Sequence, residues 1–179
     1  MLPVEALATA RLELVPLRPS DADEMVDVLA DPRLYAFTGG SPPDRSALRG
    51  RYERQAMGHS PEGDQQWLNW IVRLRDSGAA IGFAQATVTV ARGGAEADVA
   101  WLIGVPWQDR GLASEAASAV VRWLVGAGVV VIKAHIHPEH VASQAVARHA
   151  GLGPTPALDA DGEQVWQGIA PEIGRGPWA

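Results

Sequence analysis

Leu12, Val15 and Leu17 fall among polar residues over positions 11–17, the pattern of a half-buried strand. The period then lengthens. Ala22, Met25, Val26, Val28 and Leu29 predict a short amphipathic helix that stops before Pro32. Ser20 stands where an N-cap would, with Glu24 near the capping-box position. Asp44 is placed to cap a second helix over residues 45–57. A strand-rich block follows: residues 67–74, 79–90 and 95–105, joined by turns at Asp76-Ser77-Gly78 and Arg92-Gly93-Gly94. Such short connections predict an antiparallel meander. Residues 111–125 read as a helix ended by Gly126 and Gly128, and residues 141–150 as another closed by Gly151. Between them, residues 129–136 are nearly all apolar, which predicts a strand buried on both faces. Residues 153–156 read as a local break. Asp161-Gly162 is the turn of a final hairpin whose last strand covers residues 163–169.

The order is thus strand, two helices, three strands, helix, strand, helix and a terminal strand pair. With 179 residues and no internal repeat or linker, one α/β (α+β) domain over residues 1–179 is expected. A formal charge of −6 disfavours nucleic acid, which needs a basic face, and suits a cationic acceptor such as an amine. Cysteine is absent, which removes disulfides, thiolate zinc sites and a cysteine nucleophile. No apolar run approaches the roughly 20 residues of a membrane span, and the first ten residues lack the basic start of a signal peptide. The expected location is cytoplasmic.

Between the third meander strand and its helix lies Gln108-Asp109-Arg110-Gly111-Leu112-Ala113. Helix N-termini present backbone N–H groups without intrahelical partners, so a loop that aims several at one point binds an anion. The loop lacks the Gly-Lys-Ser/Thr ending of a Walker loop and the three glycines of a dinucleotide fold. The order Gln-x-x-Gly-x-Ala instead resembles the pyrophosphate loop of the GNAT superfamily of acetyl-CoA-dependent N-acetyltransferases. Further landmarks fall in order: Ala10 to Leu14 with Pro19 to Ala22, then Ile81-Gly82-Phe83, then Gly111 to Ala116, then His137-Pro138 with Ala142-Ser143 and Gly151-Leu152. They resemble most closely the branch that acetylates ribosomal-protein N-termini at serine or alanine.

The resemblance implies a mixed sheet of about seven strands with about four helices, splayed between the fourth and fifth strands. Acetyl-CoA would lie in the splay, with no metal. Its pantetheine arm would pair with the backbone of Ile103, Gly104 and Val105. Its pyrophosphate would sit on Gln108, Asp109, Arg110, Gly111, Leu112, Ala113 and Ser114. His140 stands where relatives place a cofactor-binding asparagine; it is either a cofactor contact or a helix cap. The usual general-acid tyrosine would fall at Ala147, leaving Ser143 to protonate the thiolate, unless it is a plain first-turn serine. Tyr35, Phe37, Trp67 and Trp101 would flank the acceptor, while Trp70 reads equally as core.

An attacking amine must be neutral, and a carboxylate can take its proton directly or through water. Asp98 and Glu96 share one strand face, with Asp98 the better match to the branch's acidic position and Glu96 second; both also read as exposed strand carboxylates. His135, His137 and His140 raise a zinc reading, but no carboxylate is clearly spaced to complete the set. The acceptor is a peptide N-terminus or a small amine, and a monomer or homodimer is expected. A binding module with little transferase activity is the alternative.

Overall fold

The computed structural model describes residues 2–170. The chain runs β1 (Leu7–Ala8), β2 (Leu12–Pro16), α1 (Ala22–Val28), α2 (Arg45–Gln55), β3 (Gln65–Leu74), β4 (Ala80–Ala91), β5 (Gly94–Ile103), α3 (Leu112–Gly126), β6 (Val129–Ile136), α4 (Val141–His149), β7 (Gly153–Leu158) and β8 (Gln164–Ile169). One eight-stranded sheet has the order β1-β2-β3-β4-β5-β6-β8-β7. All pairings are antiparallel except β5 with β6. The meander and the crossover through α3 match the sequence reading, and the added strand is the two-residue β1.

Sequence parity assigns the faces. Leu68, Trp70 and Val72 of β3 and Ile132, Ala134 and Ile136 of β6 point to one side, under α3 and α4. There Leu112, Ala116, Val120 and Leu124 of α3 recur every four residues and close the larger core. Ile71 and Ala80 face the other side, where Met25 of α1 and Leu48 and Tyr52 of α2 cover them. The pair α1–α2 covers only the β2–β4 half of that face. Over β6–β8 it lies open as a trough lined by Lys133, His135, Thr155 and Val165.

Several local expectations are corrected. Ser20 does not cap α1; a 3-10 turn, Pro19–Asp21, precedes it, and the Asp21 carboxylate accepts from the Arg18 N–H at 2.7 Å. Glu24 instead accepts from the Ala80 N–H at 2.7 Å and from Arg73 at 2.8 Å, tying α1 to the start of β4. Strand β6 is buried on one face only: Lys133 and His135 project from the other because no helix covers it. Residues 153–156 are no break but the start of edge strand β7, where proline is tolerated because one side needs no ladder bond. The Asp44 cap forms as expected, accepting from the Ala47 N–H at 2.8 Å.

Candidate active site

The parallel ladder between β5 and β6 runs from Ala95–Val129 to Asp98–Lys133 and then stops. From Val99 onward β5 continues beside β4, while Ala134 to Ile136 of β6 stay paired with β8. The two central strands therefore part, leaving the gap-facing backbone of β5 without a partner strand. A cavity of about 80 Å³ occupies the fork, walled by Val99, Trp101, Ala134, Ile136 and His140, with Phe37 over it. Gly82 sets the other flank of β5. A Cβ there would lie 2.0 Å from the Leu102 carbonyl oxygen, so only glycine lets β4 and β5 approach this closely.

Past the fork the backbone of 103–105 is largely engaged. The Gly104 N–H donates to the Ile81 carbonyl at 2.8 Å, and the Gln108 side chain donates to the Ile103 carbonyl at 2.8 Å. The open edge of β5 thus begins upstream of the three residues expected to pair with a cofactor arm. Gln108 acts within the protein as a staple between strand end and loop. Val105 opens a 3-10 turn, Val105–Trp107, and Asp109 and Gly111 adopt positive φ (59° and 72°) before α3 begins. Asp109 is the lone non-glycine residue with positive φ among the described residues. No side chain caps α3, and its first main-chain bond is Glu115 N–H to Gly111. The N–H groups of Leu112, Ala113 and Ser114 therefore project from the helix end beside the exposed Arg110. This loop can hold a phosphate-type anion, and the fork beside it can hold an extended chain.

Arg11 and Glu115 were missed as parts of this loop. The Glu115 carboxylate accepts from Thr9 Oγ1 at 2.6 Å, from the Arg11 N–H at 2.8 Å and from Arg11 Nε at 2.7 Å. Burial alone would raise its pKa, but these donors outweigh burial and lower it. Arg11 also donates to the Arg110 carbonyl at 2.9 Å. The β1–β2 corner thus braces the loop and neutralises an acid in the helix's first turn. No short-range signal links positions 104 residues apart.

Asp98 is the last ladder residue before the fork, whereas Glu96 lies deeper in the paired region. Neither is a lone carboxylate. Glu96 binds Lys133 Nζ at 2.6 Å. Asp98 meets His135 Nε2 at 3.1 Å, and His135 Nδ1 meets Asp159 at 2.8 Å. Burial would lower the His135 pKa, but hydrogen bonds and charge from Asp159 and Asp98 prevail and raise it. Asp159 is itself held low, chiefly by the Glu163 N–H. An Asp98–His135–Asp159 chain therefore runs from the fork to the β7–β8 turn.

His140 does not cap α4 with its side chain; its ring stacks on Phe37 at 4.3 Å and 16°. Burial, with nearby His137, lowers its pKa and favours the neutral ring. Ser143 Oγ lines the same cavity and has no hydrogen-bond partner among the described residues. Trp101 walls the fork. Tyr35 stands nearby in sequence, but its hydroxyl donates to the Leu29 carbonyl at 2.9 Å. Trp67 is half-buried on β3 opposite Thr87, away from the fork lining, and Trp70 is core. Among the described residues no group of three or more His, Asp or Glu side chains is arranged to hold a metal. The histidine rings go elsewhere: His135 to two carboxylates, His140 to Phe37, and His137 Nδ1 to the Glu139 N–H at 3.2 Å. No helix among them is long and apolar enough to cross a membrane.

This architecture recurs in known structures. A GNAT-family acetyltransferase from Bacillus anthracis superposes with TM-score 0.73 at 16% identity, over 93% of this chain and 99% of that one. RimL, a ribosomal L7/L12 α-N-protein acetyltransferase solved with coenzyme A, gives 0.77 at 15% identity over 92% and 98%. An acetyltransferase from Agrobacterium tumefaciens gives 0.69 at 25% identity over 94% and 96%. No curated protein sequence matches. Residues 11–153 match the family described as "Acetyltransferase (GNAT) domain". The chain belongs to that acetyltransferase family.

Proposed function

We propose that the protein transfers the acetyl group of acetyl-CoA to a primary amine by direct attack. The observation that carries this reading is the fork beyond Asp98–Lys133, opening beside an uncapped helix end. The donor's pyrophosphate would rest on the N–H groups of Leu112, Ala113 and Ser114, with Arg110 adding a charge-assisted contact. Its arm would add to the unpaired edge of β5. RimL was solved with coenzyme A and the aminoglycoside acetyltransferase AAC(6')-Ib likewise, which supports the same donor here.

Within the fork, positioning of the two reactants would supply most of the rate. An unpaired N–H on the open edge of β5 would stabilise charge developing on the acetyl oxygen. Asp98 would accept the amine's proton through water, since it alone of the two carboxylates borders the fork. Ser143 Oγ, beside His140, would protonate the departing thiolate. Among acceptors, a protein N-terminus is favoured by the landmarks shared with the ribosomal-protein branch. A binding module with little turnover is the second reading, because His135 and Lys133 already engage both carboxylates.

Calorimetry with acetyl-CoA, followed by thiol release with N-terminal peptides and small amines, tests both. Saturable binding with turnover is expected. No binding at millimolar acetyl-CoA overturns the assignment, and binding without turnover of any amine selects the module.

A further inference from the structure

Between α2 and the sheet, on the face that carries Asp98, lies a second cavity of about 40 Å³. Its polar wall consists of Arg51, Tyr52 and Gln55 from α2, Asn69 from β3 and Gln85 from β4. Tyr52 is 3% exposed, and its hydroxyl is buried with no hydrogen-bond partner. The Gln55, Asn69 and Gln85 amides also make no hydrogen bond among the described residues. Buried hydroxyls are rarely left unpaired unless a missing partner supplies the bond. The space exceeds what one water needs.

Register ties this cavity to the fork. Asn69 lies opposite Gln85, and Gln85 opposite Ala100, which borders the fork. All three side chains point to the same face. Two strand spacings put the far end of the row about 10 Å from the fork. About three residues of extended peptide cover that span. No carboxylate lines the cavity, so nothing there neutralises an ammonium, while amides, a phenol and a guanidinium suit carbonyl and hydroxyl oxygens.

We propose that this cavity reads the distal part of the acceptor, taking an uncharged or anionic oxygen-bearing group of an extended peptide whose α-amine reacts in the fork. This rests on the transferase reading above and adds to its favoured acceptor, a protein N-terminus, the place where the residues beyond the reacting amine are held.

The test compares acetylation of a tetrapeptide amide, the matching single amino-acid amide and spermidine, after acetyl-CoA binding has been measured by calorimetry. The tetrapeptide amide is expected to be the best substrate, by about tenfold in kcat/KM, through two such hydrogen bonds. Tyr52→Phe and Gln85→Leu should each cut its advantage over the amino-acid amide about threefold, acting through KM. Tyr52→Phe should melt at or above the wild-type temperature, since it removes only an unpaired hydroxyl; a clear drop would mean the hydroxyl is structural and would overturn the proposal. So would an unchanged preference in both variants, or spermidine as the better acceptor. Failure of acetyl-CoA to bind removes the transferase reading and the pocket's role with it. Binding with no peptide preference removes the pocket's role alone.

Discussion

Gly82→Ala is expected to damage the fork from its closed side. The new methyl carbon would start 2.0 Å from the Leu102 carbonyl oxygen and 3.0 Å from the Ile103 Cα. Both are backbone, so no side chain can rotate away. Reaching an ordinary contact of 3.4 Å requires β4 and β5 to separate by about 1.4 Å. Overpacking of this kind costs about 1–3 kcal/mol, and weakening one ladder bond adds about 1 kcal/mol. For a chain of this size about 3 kcal/mol lowers Tm by about 6–12 °C. The displaced strand carries Trp101 and the open edge, and misplacement of about 1 Å costs about 100-fold in rate. Thermal melts and kcat/KM for the same peptide check both numbers. Gly126→Ala, where a methyl meets nothing within 4 Å, is the control and should not lower Tm. A Gly82→Ala protein that melts within about 2 °C of wild type, below the shift of 1 kcal/mol, would refute the steric argument. One that melts low but turns over within about threefold would refute the link between strand spacing and catalysis.

Asp98→Asn should lower kcat/KM by about 100-fold, the usual scale of a lost general base, with acetyl-CoA affinity unchanged by calorimetry. The pH dependence of stability should show the Asp98–His135–Asp159 chain. Because the folded pKa of His135 is raised, its tie is fully present below about pH 6.5 and fades as pH rises through the raised value. The Tm gap between wild type and His135→Gln should therefore shrink from about pH 6.5 upward, and a gap that widens instead contradicts the assignment. Asp44→Ala should cost about 1 kcal/mol through loss of the α2 cap, or about 2–4 °C in Tm, read from a thermal melt.

The meander and its turns were legible because alternation and glycine placement are local signals. So was the loop before α3, since its composition and its position between strand and helix both sit in a few residues. What escaped was set by partners far along the chain. The bond of His135 to Asp98 spans 37 residues and that to Asp159 spans 24, so three histidines close in sequence raised a zinc question that the fold answers differently. Prolines 154 and 156 looked like a break because a sequence does not show which strand will lie at the edge. Glu24 resembled a capping residue, yet its partners, Ala80 and Arg73, arrive from the sheet. Tyr52 carried no signal in the sequence beyond its place in the second helix. Only the register of Asn69, Gln85 and Ala100 reveals that the cavity it lines sits on a row that ends at the fork.

The parting of β5 from β6 also bears on strand pairing between chains. An unpaired strand edge is a template onto which other chains can pair and aggregate. Here that edge is internal, held between β4 on one side and the β6–β8–β7 wing on the other, with Phe37 and His140 stacked at its mouth. A slender chain can slide along it, whereas a strand from another folded protein would have to pry apart a continuous sheet. The fold thus leaves this one β-edge reachable by a narrow chain and sterically shielded from a strand of another folded protein.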